Sequence, residues 1–141
     1  MSLAVKISLL AAGLFLLTGM LIGIVKYRRI MTSAEHQAPV YIDIAHRAAF
    51  MYSFAALVIA QLVQYSPFST TAQLVAVGVP LFYFAVTIAQ YFRLGLRDET
   101  DNQFRERSFL TTWGMYGLIA GEIGGLAALV WGFVSTQLLA G

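Results

Sequence analysis

The sequence predicts an all-α polytopic membrane protein, a single four-helix transmembrane bundle over residues 1–141. Three observations lead there. Hydrophobic residues make up 59% of the chain and charged residues only 11%, where a soluble domain carries about a quarter charged residues. Polar groups this scarce cannot cover a surface, so lipid has to be the solvent. Four apolar runs divide the chain, each near the ~20 residues that a ~30 Å hydrocarbon core requires. The charges collect in two of the segments between those runs.

Span one, residues 7–25, is uncharged and closes on Lys26, Arg28 and Arg29. It is longer than the apolar region of a signal peptide and ends on a basic stop, which predicts a retained helix. A polar loop containing His36, in its default solvated role, leads to span two, residues 45–64. An uncharged link, residues 65–71, joins it to span three, residues 72–92, which contains Pro80. Proline is tolerated in a membrane helix and usually kinks it. The polar loop 93–108 precedes span four, residues 109–134. Here Gly117, Gly121 and Gly125 recur every fourth residue and share a face. Such a strip lets a neighbouring helix, or a flat ligand, approach the backbone. Residues 24–30 and 88–94 share a faint Tyr/Arg echo at the ends of the odd-numbered spans.

Charge sets the expected orientation. Lys26, Arg28, Arg29 and Arg47 lie on or beside the first loop, and Arg93, Arg97, Arg105 and Arg107 on the third; only Lys6 falls on the other side. The basic-inside rule then predicts a multi-pass protein of the cell inner membrane, with loops 26–44 and 93–108 cytoplasmic and both termini outside. Glu35, Asp43, Asp98, Glu99, Asp101 and Glu106 share the basic side, as surface pairs worth little each. Tyr27, Tyr65, Tyr91, Trp113 and Trp131 stand near span ends, where interfacial aromatics belong. With no cysteine there is no disulfide or thiolate chemistry. No phosphate loop, dinucleotide fingerprint, hydrolase elbow or nucleic-acid module is present. The expected partner is the lipid bilayer, not nucleic acid.

Glu122 falls near the midpoint of span four. An ionised carboxylate in hydrocarbon costs several kcal/mol, so the group should be neutral, paired, or facing water or a cofactor. Its functional readings are proton carrier, general acid or base, or polar wall of a ligand pocket. Its structural reading is a neutral carboxylic acid bonded to Gln61, Gln90, Tyr83 or Thr87. Thr18, Tyr52, Ser53 and Tyr116 add further mid-span polar groups. Singly each is a helix–helix hydrogen bond; together they exceed what packing needs and point to a polar cavity. His46 opens span two, either as an interfacial histidine paired with Asp43 or as an axial haem ligand or proton donor. No two histidines stand at a helical spacing for a bis-histidine haem, and no His/Asp/Glu cluster suits zinc.

The span layout, with Ala45-His46 after a polar loop and small and apolar residues beyond, resembles the membrane isomerases that include styrene oxide isomerase and hydroxylaminobenzene mutase. In that family a histidine opening the second span is followed six residues later by asparagine and then glycine. The resemblance implies a four-helix homo-oligomer, a trimer. In one branch it implies haem b ligated by that histidine, the ferric iron acting as a Lewis acid in an isomerisation without net redox change. Carried over, His46 would be the iron ligand, and Tyr52 would hold the asparagine position. Gln90, in Ala89-Gln90, would match an Ala-Asn pair of the third span. The chain departs from the pattern at Tyr52, at Ser53 in place of glycine, and at Arg47-Ala48. His46, Tyr52 and Gln90 are thus the candidate cofactor-binding residues, and Tyr52 and Glu122 the candidate catalytic ones. Two alternatives stand beside this reading: a non-enzymatic accessory subunit of a larger membrane complex, and a proton or small-molecule transport module using Glu122.

Overall fold

The structure is a computed structural model and describes residues 1–105 and 107–139. Four helices, each long and apolar enough to cross a membrane, account for most of them. Helix α1 spans Leu3–Thr32 and starts where the Ser2 hydroxyl accepts the Val5 N–H. Helix α2, Val40–Gln64, follows directly on Pro39, whose fixed φ suits a helix start. Helix α3, Thr70–Arg97, is capped by the Ser69 hydroxyl and ends at Asp98, which turns left-handed at φ 53°. Helix α4, Leu110–Leu138, is α-helical over Met115–Phe133 and widens to π-helix at both ends, over Leu110–Gly114 and Val134–Leu138. The first three helices overrun their apolar spans because the juxtamembrane polar residues continue the helical hydrogen bonding.

Helix α1 packs on α2 and α3, and α4 packs on α3 and α2 from the other side; α1 and α4 do not meet among the described residues. The α2–α3 pair therefore forms the centre. On α2 the buried residues Ile42, Ala45, Ala49, Ala56, Ile59 and Val63 recur at alternating spacings of three and four, interrupted only at Tyr52. On α3, Val77, Leu81, Phe84 and Ile88 answer them. The alanines let backbones come close, which matters because helices in lipid associate by van der Waals contact, not by the hydrophobic effect. Helix α4 follows the same rule along Met115, Leu118, Glu122, Gly125, Leu129 and Gly132, and Leu129 is fully buried.

The glycine strip of α4 is a packing surface. A Cβ on Gly121 would lie 2.7 Å from Val79 Cγ1, and one on Gly117 would lie 2.7 Å from the Tyr83 hydroxyl. At Gly125 the fit involves backbone. Pro80 has no N–H, so the Ala76 carbonyl lacks its usual i+4 donor; a Cβ on Gly125 would lie 2.6 Å from that oxygen. The hydrogen Gly125 carries there points at the freed carbonyl, a weak Cα–H···O contact.

Polar contacts close both ends of the bundle. Gln73 Nε2 donates to the Ser66 and Phe68 carbonyls at 3.1 and 3.0 Å, and Thr136 Oγ1 donates to the Tyr65 carbonyl at 2.9 Å. At the basic end Asp43 pairs with Lys26 and Arg47, and Asp101 pairs with Arg105. Glu106 lies outside the described residues. Tyr27, Tyr65, Trp113 and Trp131 are exposed, as interfacial aromatics are. Tyr91 is not one of them: it turns inward, its ring 5.8 Å from that of Tyr41, because it continues the inward register of Phe84 and Ile88.

Candidate functional site

Where the α2 seam is interrupted, the bundle opens. A mostly apolar cavity of about 190 Å³ lies between α2, α3 and the start of α4. Tyr52 borders it from α2, and Tyr83, Thr87, Gln90 and Tyr91 from α3. Leu110, Thr111, Gly114, Met115 and Leu118 border it from α4, and Gln103 and Phe104 lie over its loop end. The loop is held there by the Gln103 N–H, which donates to the Tyr41 hydroxyl at 2.6 Å. The π-helical turn Leu110–Gly114 forms part of the wall. Such a turn widens the helix locally and often accompanies functional sites.

Tyr52 is fixed by stacking on Phe84, with centroids 4.2 Å apart and planes 7° from parallel, and its hydroxyl lies against Thr87. Gln90 Oε1 accepts from the exposed Arg93 guanidinium at 2.9 Å, which leaves its amide N–H groups for other partners. Glu122 lies one turn beyond Leu118 on the inward face of α4, within electrostatic reach of the Tyr52 and Tyr91 hydroxyls. Its Oε1 is buried and has no hydrogen-bond partner among the described residues. None of the partners expected for it donates to this oxygen. Gln61 accepts from Gln64 within α2, Gln90 holds Arg93, and the Tyr83 hydroxyl abuts Gly117. Buried polar atoms are nearly always satisfied, so an orphaned carboxyl oxygen demands an explanation.

His46 lies elsewhere. Its Nδ1 is 2.8 Å from the Gly19 carbonyl of α1, and its ring stands edge-on to Phe50 at 4.9 Å. A Cβ on Gly23 would lie 2.9 Å from the ring, so Gly19 and Gly23 admit these two side chains against α1. The Asp43 carboxylate expected beside His46 is taken by Lys26 and Arg47. Ser53, at the glycine position of the family pattern, is buried and donates to the Phe50 carbonyl of its own helix at 2.7 Å. The structure thus brings Tyr52, Gln90 and Glu122 to one region and puts His46 on another face of α2. Against a haem the residues give a split result. Nδ1 bound to a carbonyl leaves Nε2 as the free ring nitrogen, the arrangement of a ligating histidine. The cavity that Tyr52 and Gln90 border does not reach His46, so these three residues do not form one haem site within a single chain. Among the described residues no three His, Asp or Glu side chains converge.

Sequence reasoning missed two wall-formers, Tyr91 and the loop pair Gln103–Phe104. The three/four spacing through Ile88 and Tyr91 could have signalled the first; nothing local signals the second. No family model, curated protein or solved structure matches the chain.

Proposed function

We propose that this protein is a small-molecule-handling membrane module whose cavity between α2, α3 and α4 takes up an apolar molecule with one hydrogen-bonding end. The observation that carries the reading is the unpartnered Glu122 Oε1, one helical turn beyond Leu118 at the α4 wall of a cavity that Tyr52, Thr87 and Gln90 also border. An unsatisfied buried acceptor costs ~1–3 kcal/mol, and a ligand group that satisfies it recovers that cost. The size suits a substituted benzene ring, since an apolar cavity of ~150 Å³ takes benzene. Tyr52 would orient the polar end, and Glu122 would accept from it or exchange a proton with it, which serves either transport or acid–base chemistry. The charge distribution further supports an inner-membrane orientation with loops 26–44 and 93–108 cytoplasmic.

The test is binding of p-cresol, with p-xylene as the isostere lacking the hydroxyl, to protein in dodecyl maltoside by ligand-observed NMR. Saturable binding of p-cresol that Leu118→Trp abolishes by filling the cavity is expected. Partitioning that is unsaturable and identical in both proteins refutes the proposal.

A second reading, haem b held by His46, is favoured by the Nδ1–Gly19 contact. It requires the group to sit outside the cavity, against another surface of the bundle. Absorption spectra of haem-supplemented wild type and His46→Ala decide it: a Soret band lost in the variant supports the reading, and no band in either discards it.

A further inference from the structure

We infer that the cavity selects an organic cation, an ammonium group on a small apolar or aromatic body, with Glu122 as its counter-ion. The inference deepens the function proposed above and rests on it. Two observations beyond that reading point to positive charge.

The first is the make-up of the walls. Tyr52, Tyr83, Tyr91 and Phe104 bring four aromatic rings to one small cavity. The negative face of an aromatic ring attracts a cation, and desolvated sites strengthen the attraction. Clustered rings are the usual protein solution for quaternary ammonium groups, which cannot be hydrogen-bonded. One face of Tyr52 is already covered by Phe84, which locks the ring in place.

The second is the missing partner of the carboxyl group. Every acid for which the described residues show an ion pair has it at the basic end, where Lys26, Arg47 and Arg105 serve Asp43 and Asp101. Glu122 has no such neighbour, and its Oε1 accepts no hydrogen bond. The described residues place an acid in the apolar region and supply no cation for it. A metal ion would need several oxygen ligands, whereas the walls are mainly rings and aliphatic groups. Glu122 is not itself a lining residue but stands one helical turn beyond Leu118, the last α4 residue of the wall. An organic cation would therefore bind with its body among the rings and its charged end at the Leu118 end of the cavity, where the carboxylate supplies the neutralising charge. Arg93 at the rim is exposed, and its guanidinium is bound to Gln90 Oε1, so solvent screens it.

Phenyltrimethylammonium and tert-butylbenzene have the same shape and differ in charge. Their binding is measured in dodecyl maltoside, which carries no ammonium group to compete. The expected result is saturable binding of the cation at least tenfold tighter than that of tert-butylbenzene. The preference should be lost in Glu122→Gln and kept in Glu122→Asp, with an unchanged far-ultraviolet circular dichroism spectrum and unfolding midpoint in Glu122→Gln as proof of fold. Equal binding of the two probes, or a cation preference that survives in Glu122→Gln, overturns the inference; saturable p-cresol binding would then leave the pocket reading standing. Absence of saturable, Leu118→Trp-sensitive binding for all three probes removes both.

Discussion

Gly124 and Gly125 are adjacent in sequence and have opposite surroundings, so they form a controlled pair for the packing of α4 on α3. At Gly124 an added Cβ meets nothing within 4 Å. At Gly125 it would lie 2.6 Å from the Ala76 carbonyl oxygen, 2.6 Å from Pro80 Cγ and 3.0 Å from Pro80 Cδ. These neighbours are backbone and a ring closed on the backbone, so none can swing aside and the two helices must separate. Overpacking of this kind costs ~1–3 kcal/mol. Glycine to alanine in a helix interior gains at most ~1 kcal/mol of intrinsic propensity, which offsets part of the cost. Gly125→Ala should therefore lose up to about 2 kcal/mol net, as much as a roughly thirtyfold shift in the folded-to-unfolded ratio, while Gly124→Ala, with the same propensity gain and no clash, is neutral or slightly stabilising. Reversible unfolding in mixed detergent and dodecyl sulfate, followed by far-ultraviolet circular dichroism, measures both. Equal stability of the two variants would show that α3 and α4 do not meet at Ala76, Pro80 and Gly125, and the wall of the cavity would have to be redrawn.

Tyr41→Phe removes the acceptor of the Gln103 N–H and should cost about 1 kcal/mol; hydrogen exchange at Gln103 should accelerate while exchange in the α2 seam stays slow. Asp43→Asn removes both ion pairs at the mouth of α1 and α2. The loss should be within about 1 kcal/mol and shrink with added salt, so a salt-independent loss above that would show that Asp43 does more than pair.

The bundle was legible in the sequence because hydrocarbon imposes length and apolarity on every span. The α4 glycine strip was legible because spacing by four has a single geometric meaning. Glu122 was visible as costly from its position alone. Its surroundings were not: the amides expected to bond it accept through their oxygens from partners three residues along their own helices, Gln61 from Gln64 and Gln90 from Arg93, and their N–H groups do not reach the buried carboxyl oxygen. The separation of His46 from Tyr52 follows from six residues on a helix, roughly 120° in projection. That α1 would supply the Gly19 carbonyl to His46 is a tertiary fact with no local signature. The π-helical turn at Leu110–Gly114 likewise depends on how α4 meets its neighbours, not on the identity of five residues.

The absence of contact between α1 and α4 among the described residues bears on how the protein is made. The α1–α2 pairing is the most extensive in the molecule, and α3 adds to both of its members. Each of α2, α3 and α4 leaving the ribosome therefore finds its main partner already inserted, and α1 does not wait for α4. Only 11% of the apolar window of α4 is buried, so the helix made after the other three is also held least by them. Truncation after Arg97 should leave an inserted three-helix body, and quality-control proteases that sample loosely held membrane segments would find α4 first.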